Sequence, residues 1–207
     1  MIFPALYNGP AQYFARLVRE EEILLEQYDS YIKQSYRNRC KIIGANGLLT
    51  LSIPVKRIRG SKSLFKEVRV DYDTPWNKIH WKSLVAAYAA SPFFEYYMDD
   101  LFPFYEKRFG FLVDLNVGLM EKTLEIMGLD IPISLSDNFK AISGIDDPRY
   151  FIHPKLDLKK ADPQFSPLAY HQVFEERHGF KPNLSILDLL FNEGPASHSV
   201  LLNSLRI

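Results

Sequence analysis

A single cysteine, Cys40, is all the thiol that this chain of 207 residues contains. That excludes an internal disulfide and fits a reducing compartment. Neither sign of charge is in excess, because 25 Lys plus Arg balance 25 Asp plus Glu. Without an overall positive field, nucleic acid is not an expected partner. No uninterrupted apolar stretch approaches the roughly 18 residues of a membrane span, and the start Met1-Ile2-Phe3-Pro4-Ala5 has neither a basic n-region nor a small-residue cleavage site. The expectation is a cytoplasmic, soluble protein that does not span a membrane. Metal and phosphate signatures are missing too: there is no His-Glu-x-x-His, Cys-x-x-Cys, EF-hand loop, phosphate-binding P-loop or Gly-x-Gly-x-x-Gly. His171 and His178 are seven apart, a poor spacing for one metal. No metal site is expected, and a cofactor is left open.

What the chain does have is apolar mass: 47% of its residues are hydrophobic, with 15 Phe and 12 Tyr. One domain over residues 1–207 with a substantial core is the expected organisation. Its most informative segment is Gln34-Ser35-Tyr36-Arg37-Asn38-Arg39-Cys40-Lys41-Ile42-Ile43-Gly44-Ala45-Asn46-Gly47-Leu48. Asn-Gly between two alternating apolar runs signals a two-residue type I′ hairpin turn. With Asn46 and Gly47 as the turn, Ile42 lies opposite Leu51, Cys40 opposite Ile53 and Asn38 opposite Val55. These form the buried face, where Cys40 is a small hydrophobe rather than a nucleophile. Arg37, Arg39 and Lys41 then share the other face, each roughly 6–7 Å from the next. Three cations beside Tyr36 suit a phosphate or carboxylate; the bland alternative is a solvated strand face. Asn38, on the buried side, is expected to hydrogen-bond there.

Along the rest of the chain, Ile2 to Tyr7 reads as a strand, Ala11 to Arg19 as a short helix and Glu22 to Tyr28 as a second strand. This is a small βαβ unit whose strands should be parallel. A strand is expected from Phe65 to Tyr72. The period then changes, giving helices over Pro75 to Ala90 with Thr74 as N-cap, Phe93 to Lys107 interrupted at Pro103, and Phe111 to Met127 closed by Gly128. Asp130 to Pro167, rich in proline, reads as irregular, either a functional lid or an arm wrapping the domain. Short helices complete the chain at Tyr170 to His178, Ser185 to Asn192 and Pro195 to Leu205. The fold class expected is α+β: an N-terminal βαβ unit and a β-hairpin in a mixed sheet, followed by a mainly helical C-terminal half.

His80, one turn into the helix after Thr74, is a candidate general acid or base, because the unperturbed pKa of a histidine, about 6.5, suits proton exchange at neutral pH. The plainer reading is a histidine packed against Trp76. Tyr7 and Tyr13, around the first loop, are candidates for a pocket wall. Ser185-Ile186-Leu187-Asp188 fits a capping box, so Asp188 reads as structural.

Several segments fall together in one order: Tyr7-x-x-x-x-x-Tyr13, Gln34 to Cys40, Gly44-Ala45-Asn46-Gly47, Leu51-Ser52-Ile53-Pro54-Val55, His80-Trp81, Ser91-Pro92-Phe93-Phe94, and Asn183 to Pro195. In these the chain resembles the WbqC-like family over nearly its whole length. The resemblance implies a bacterial protein associated with O-antigen or other surface-polysaccharide biosynthesis, and carries over no catalytic residues. The functional expectation is an enzyme that modifies or transfers a group on a sugar or sugar nucleotide. In it Arg37, Arg39, Lys41, Tyr36 and Asn38 bind the anion, Tyr7 and Tyr13 line the pocket and His80 moves a proton. The rival expectation is a non-catalytic binding or scaffold protein for an anionic glycan intermediate or a partner enzyme. The partner in either case is an anionic small molecule, a sugar nucleotide being the leading class, and the oligomeric state is open.

Overall fold

The computed structural model describes residues 1–56, 63–141, 144, 147–156 and 162–206. Strand β1 (Ile2–Pro4), helix α1 (Ala11–Leu17) and strand β2 (Ile23–Glu26) form the expected parallel βαβ unit, with Phe3 opposite Leu25. Phe3, Phe14, Leu17, Ile23 and Leu25 are all sealed in its core. The hairpin of β3 (Arg39–Gly44) and β4 (Gly47–Ser52) forms a separate two-stranded antiparallel sheet. Its turn comes one residue earlier than expected, which shifts the pairing by two: Ala45 and Asn46 make the turn, Gly44 pairs with Gly47, and Cys40 lies opposite Leu51. Only Gly47 takes positive φ, at 106°, whereas a type I′ turn needs it at both central positions. A shift of two preserves the faces, so Cys40 and Ile42 remain buried as expected. The outer edge of β3 is covered, because the Ser185 N–H donates to the Lys41 carbonyl at 2.8 Å.

The expected strand from Phe65 to Tyr72 is a 3-10 turn at Phe65–Glu67 followed by single bridges, Val55 to Val70 and Arg69 to Phe111. The Phe65 and Lys66 N–H groups donate to the carbonyls of Asp29 and Gln27, tying this segment to the chain that leaves β2. Helix α2 (Trp76–Tyr88) begins at Pro75 without a side-chain cap, so Thr74 is not the N-cap. Helices α3 (Phe94–Leu101) and α4 (Pro103–Glu106) are divided at Pro103, and α5 (Leu112–Ile126) stops before Gly128, whose φ is 72°. The closing elements are α7 (Glu175–His178), α8 (Ile186–Glu193) and α9 (Ser197–Asn203), and Ser185 caps α8 by accepting from the Leu187 N–H. The class is α+β.

Within the stretch expected to be irregular, Ile133–Leu135 forms β5, which adds to β2 in parallel and gives the sheet order β1-β2-β5. A short helix α6 (Pro148–Phe151) follows. This part is an arm locked to the sheet by buried charge. Glu26 is fully buried and accepts from the Tyr28 and Lys140 N–H groups and the Ser136 hydroxyl. Arg149 lies 3.5 Å from Glu26 and 2.6 Å from Asp147. Residues 142–143, 145–146 and 157–161 of the same stretch lie outside the described residues.

Candidate functional site

Of the three cations expected in one stripe, two behave as strand alternation requires. Arg39 and Lys41 are half-buried on the face opposite Cys40 and Ile42. Arg37 precedes the strand and turns inward. Its guanidinium pairs with Asp29 at 2.7 Å, donates to the Ser30 carbonyl at 2.9 Å and lies 5.0 Å from the centre of the Phe65 ring. Burial lowers the Arg37 pKa while Asp29 opposes the shift. This arginine is engaged inside the protein. Asn38 is also internal: its side-chain amide donates to the Ile53 carbonyl at 2.9 Å, and its backbone carbonyl accepts from the Ile53 N–H at 2.7 Å. It fastens the chain entering β3 to the chain leaving β4.

Lys41 opens onto a cleft of about 260 Å³ that also holds Tyr36, Gln12, His153, Lys181 and Asn183, with Leu48 and Phe151 as apolar wall. No acid lines it among the described residues. Lys41 Nζ donates to the Pro154 carbonyl at 3.3 Å, and neither Lys41 nor Lys181 pairs with a carboxylate among the described residues. An ammonium has three donors, so Lys41 retains capacity for a ligand. His153 Nδ1 accepts from the Lys155 N–H at 3.3 Å, which puts the proton of the neutral ring on Nε2. Its pKa is lowered by burial and by the positive charges of Lys155 and Arg39. The Arg39 Nε is buried and has no acceptor among the described residues. Burial pushes the Tyr36 phenol up to about 12, so it remains a neutral donor.

His80 and Tyr7 meet elsewhere. Tyr7 Oη and His80 Nδ1 are 2.8 Å apart, Tyr7 and Tyr105 hydroxyls are 3.4 Å apart, and Asn8 donates to Tyr105 Oη at 3.0 Å. All four side chains are buried. Burial lowers the His80 pKa to about 4, against the opposing effect of a hydrogen bond to the Ser52 backbone. The imidazole is therefore neutral at pH 7 and clamps α2 to the first loop and to β4. Tyr13 lies in the core with its hydroxyl on the Pro4 carbonyl at 2.6 Å. Asp188 does not complete a capping box. It accepts from Tyr88, Tyr170 and Gln172 at 2.9, 2.6 and 2.8 Å, while burial raises its pKa against those donors.

The structure therefore brings Tyr36 and Lys41 to one cleft, leaves Arg39 half-buried on the strand face that Lys41 also occupies, and puts Arg37, Asn38, Tyr7, Tyr13 and His80 into internal contacts. The residues that complete the cleft, Gln12, His153, Lys181 and Asn183, come from segments far apart in sequence. Only Asn183 carried a signal, since it opens the last family-like segment. It takes positive φ, 57°, and its side-chain carbonyl accepts from the Gln12 N–H at 2.9 Å.

The WbqC-like protein family model matches residues 6–149, a span that contains the hairpin, Arg39, Lys41 and His80. The chain belongs to the WbqC-like family. It is similar to the uncharacterized protein Rv1507c of Mycobacterium tuberculosis, 26% identical over 204 residues that cover 88% of each chain. No solved structure matches it significantly.

Proposed function

We propose that this WbqC-like protein binds an anionic sugar, with sugar nucleotides as the leading class, in the cleft between Lys41 and Lys181. We propose further that it modifies or transfers a group on that sugar in the cytoplasmic stages of bacterial surface-polysaccharide assembly, such as that of O-antigen. The observation that supports this reading is a cleft in which two lysines have no carboxylate partner and no acid is part of the lining, among the described residues. Such an arrangement favours a bound anion, because none of the described carboxylates competes for these two cations. At about 260 Å³ the cleft is smaller than the roughly 300–1,000 Å³ that encloses a drug-sized ligand. It suits the phosphate end and sugar ring, with a nucleoside extending over the open surface.

In this reading Lys41, Lys181 and Arg39 hold the charge and His153 presents Nε2–H at the ligand, while Gln12, whose amide donates to Asp162 at 2.9 Å, and Asn183, whose amide donates to Gln12 at 3.3 Å, brace the wall of the cleft. His80 supports the hairpin from within the core. The test is a thermal-stabilisation screen of the purified protein against UDP-, GDP- and dTDP-sugars, repeated with Lys41→Gln and Lys181→Gln. A hit that both variants abolish supports the site; stabilisation of the variants equal to that of the wild type removes it.

A second reading, a non-catalytic protein that docks a partner enzyme, is favoured by one feature. A largely apolar groove of about 310 Å³ runs from the hairpin tip to Ser83, Ala86 and Ala87 of α2, where Leu48 is 61% and Leu49 is 42% exposed. Leu48 also lines the cationic cleft. Consumption of a sugar nucleotide by the purified protein alone separates the enzyme from the scaffold.

A further inference from the structure

A second cleft, of about 390 Å³, is formed where three chain segments meet, around Lys56, Arg69 to Asp73 and Arg108 to Gly110. The Lys56 N–H donates to the Arg69 carbonyl at 2.9 Å, and the Val70 N–H donates to the Gly110 carbonyl at 3.2 Å. The Phe109 N–H donates to Tyr72 Oη at 2.9 Å, which fixes the tyrosine ring. These bonds hold Lys56, Arg69 and Arg108 around one opening.

All three cations are exposed, and none pairs with a carboxylate among the described residues. Arg16, Arg37 and Arg149 are each bound to an aspartate. The two arginines of the cleft rest on aromatic faces instead: Arg69 Cζ lies 4.6 Å from the centre of the Phe111 ring, and Arg108 Cζ 5.3 Å from that of Tyr72. Stacking restrains a guanidinium without consuming its N–H donors, so its edge remains available for bidentate contact with a phosphate. Asp73 is the one acid in the lining among the described residues. Three cations against one carboxylate leave a formal charge of +2, matched by a dianion.

We propose that Lys56, Arg69 and Arg108 form a second anion site that takes a soluble phosphorylated ligand through a diphosphate or phosphate-monoester group. It shares no lining residue with the cleft of Lys41 and Lys181. A phosphorylated effector or the product of a phosphoryl-releasing step is the chemical class it fits.

The test is calorimetric titration of the full chain with inorganic pyrophosphate at low ionic strength, for wild type, Arg69→Gln/Arg108→Gln, Lys56→Gln and Lys41→Gln. The expected result is a pyrophosphate-binding component that is present in wild type and in Lys41→Gln, is weakened about tenfold by Lys56→Gln and is lost in the double variant, whatever binding the cleft of Lys41 and Lys181 adds. An unchanged melting temperature of each variant shows that the fold is retained, as expected for exposed positions. No binding by wild type, binding by the double variant equal to wild type, or loss only in Lys41→Gln overturns the proposal. So does a protein that pellets with phosphatidic acid vesicles but does not bind free pyrophosphate. Because Lys41→Gln reports on the other cleft, failure here leaves the sugar-binding reading standing, and failure of that reading leaves this one.

Discussion

The hydroxyl of Tyr7 lies 2.8 Å from Nδ1 of His80, and both side chains are buried. The pair joins the loop after β1 to helix α2, and burial keeps the imidazole neutral by lowering its pKa to about 4. An unfolded chain protonates the same ring near the ordinary value of about 6.5. Between those values the unfolded state binds more protons than the folded one. The contribution of His80 to stability is therefore complete above about pH 6.5 and is lost as the pH falls towards 4. The upper limit for this shift is about 3 kcal/mol. Urea unfolding of wild type and His80→Gln at pH 7.5 and 5 checks this: the variant should be less stable at pH 7.5 and lose less on acidification.

Arg149 lies against Glu26 and Asp147 with its side chain 2% exposed. Removing the cation leaves two carboxylates buried without it. Breaking such a pair costs about 3–5 kcal/mol, so Arg149→Met should lower the midpoint of chemical unfolding sharply. The first region to lose amide-exchange protection should be β5 and the chain up to α6, because that arm is held to β2 by this network.

Arg37 provides a contrast with Arg39 although only one residue separates them. Its guanidinium is occupied by Asp29 and Ser30. Arg37→Met should destabilise the fold by about 2–4 kcal/mol, since Asp29 loses its partner, and leave ligand affinity unchanged in the protein that remains folded. Arg39→Met should do the reverse. Unfolding and binding measured on both variants separate the two roles.

Asn38 donates to the Ile53 carbonyl inside the protein. Asn38→Leu leaves that acceptor unpaired at a cost of about 1–3 kcal/mol. A melting temperature equal to wild type would contradict the structural role.

Much of the backbone was legible in the sequence because it depends on local chemistry. Parallel β1 and β2 follow from the short crossover, Pro103 divides the helices, and Gly128 ends α5. The hairpin was legible, but its register was not. Asn46-Gly47 suggested a mirror-image turn, whereas the glycine serves one residue later, after Ala45 and Asn46. The faces survived because the shift was even. Strand β5 was missed because three residues amid prolines carry no period, and its pairing with β2 is supplied by long-range contacts and by Arg149. For the same reason the cleft was half visible. Lys41 and Tyr36 lie in one readable segment, while His153 and Lys181 arrive from more than a hundred residues away. Charge pattern alone could not separate Arg37 from Arg39, because a buried salt bridge to Asp29 depends on where the chain leaving β2 turns.

The measurement that bears most directly on the cleft of Lys41 and Lys181 is calorimetric titration of the sugar nucleotide that most stabilises the wild type, carried out on wild type, Lys41→Gln, Lys181→Gln and the double variant. Each charge-assisted contact is worth about 1.5–3 kcal/mol, so each single variant should bind roughly 10- to 100-fold more weakly. The double variant should show no measurable heat while keeping the wild-type melting temperature. Wild-type affinity in the double variant would contradict the assignment of this cleft as the sugar-anion site.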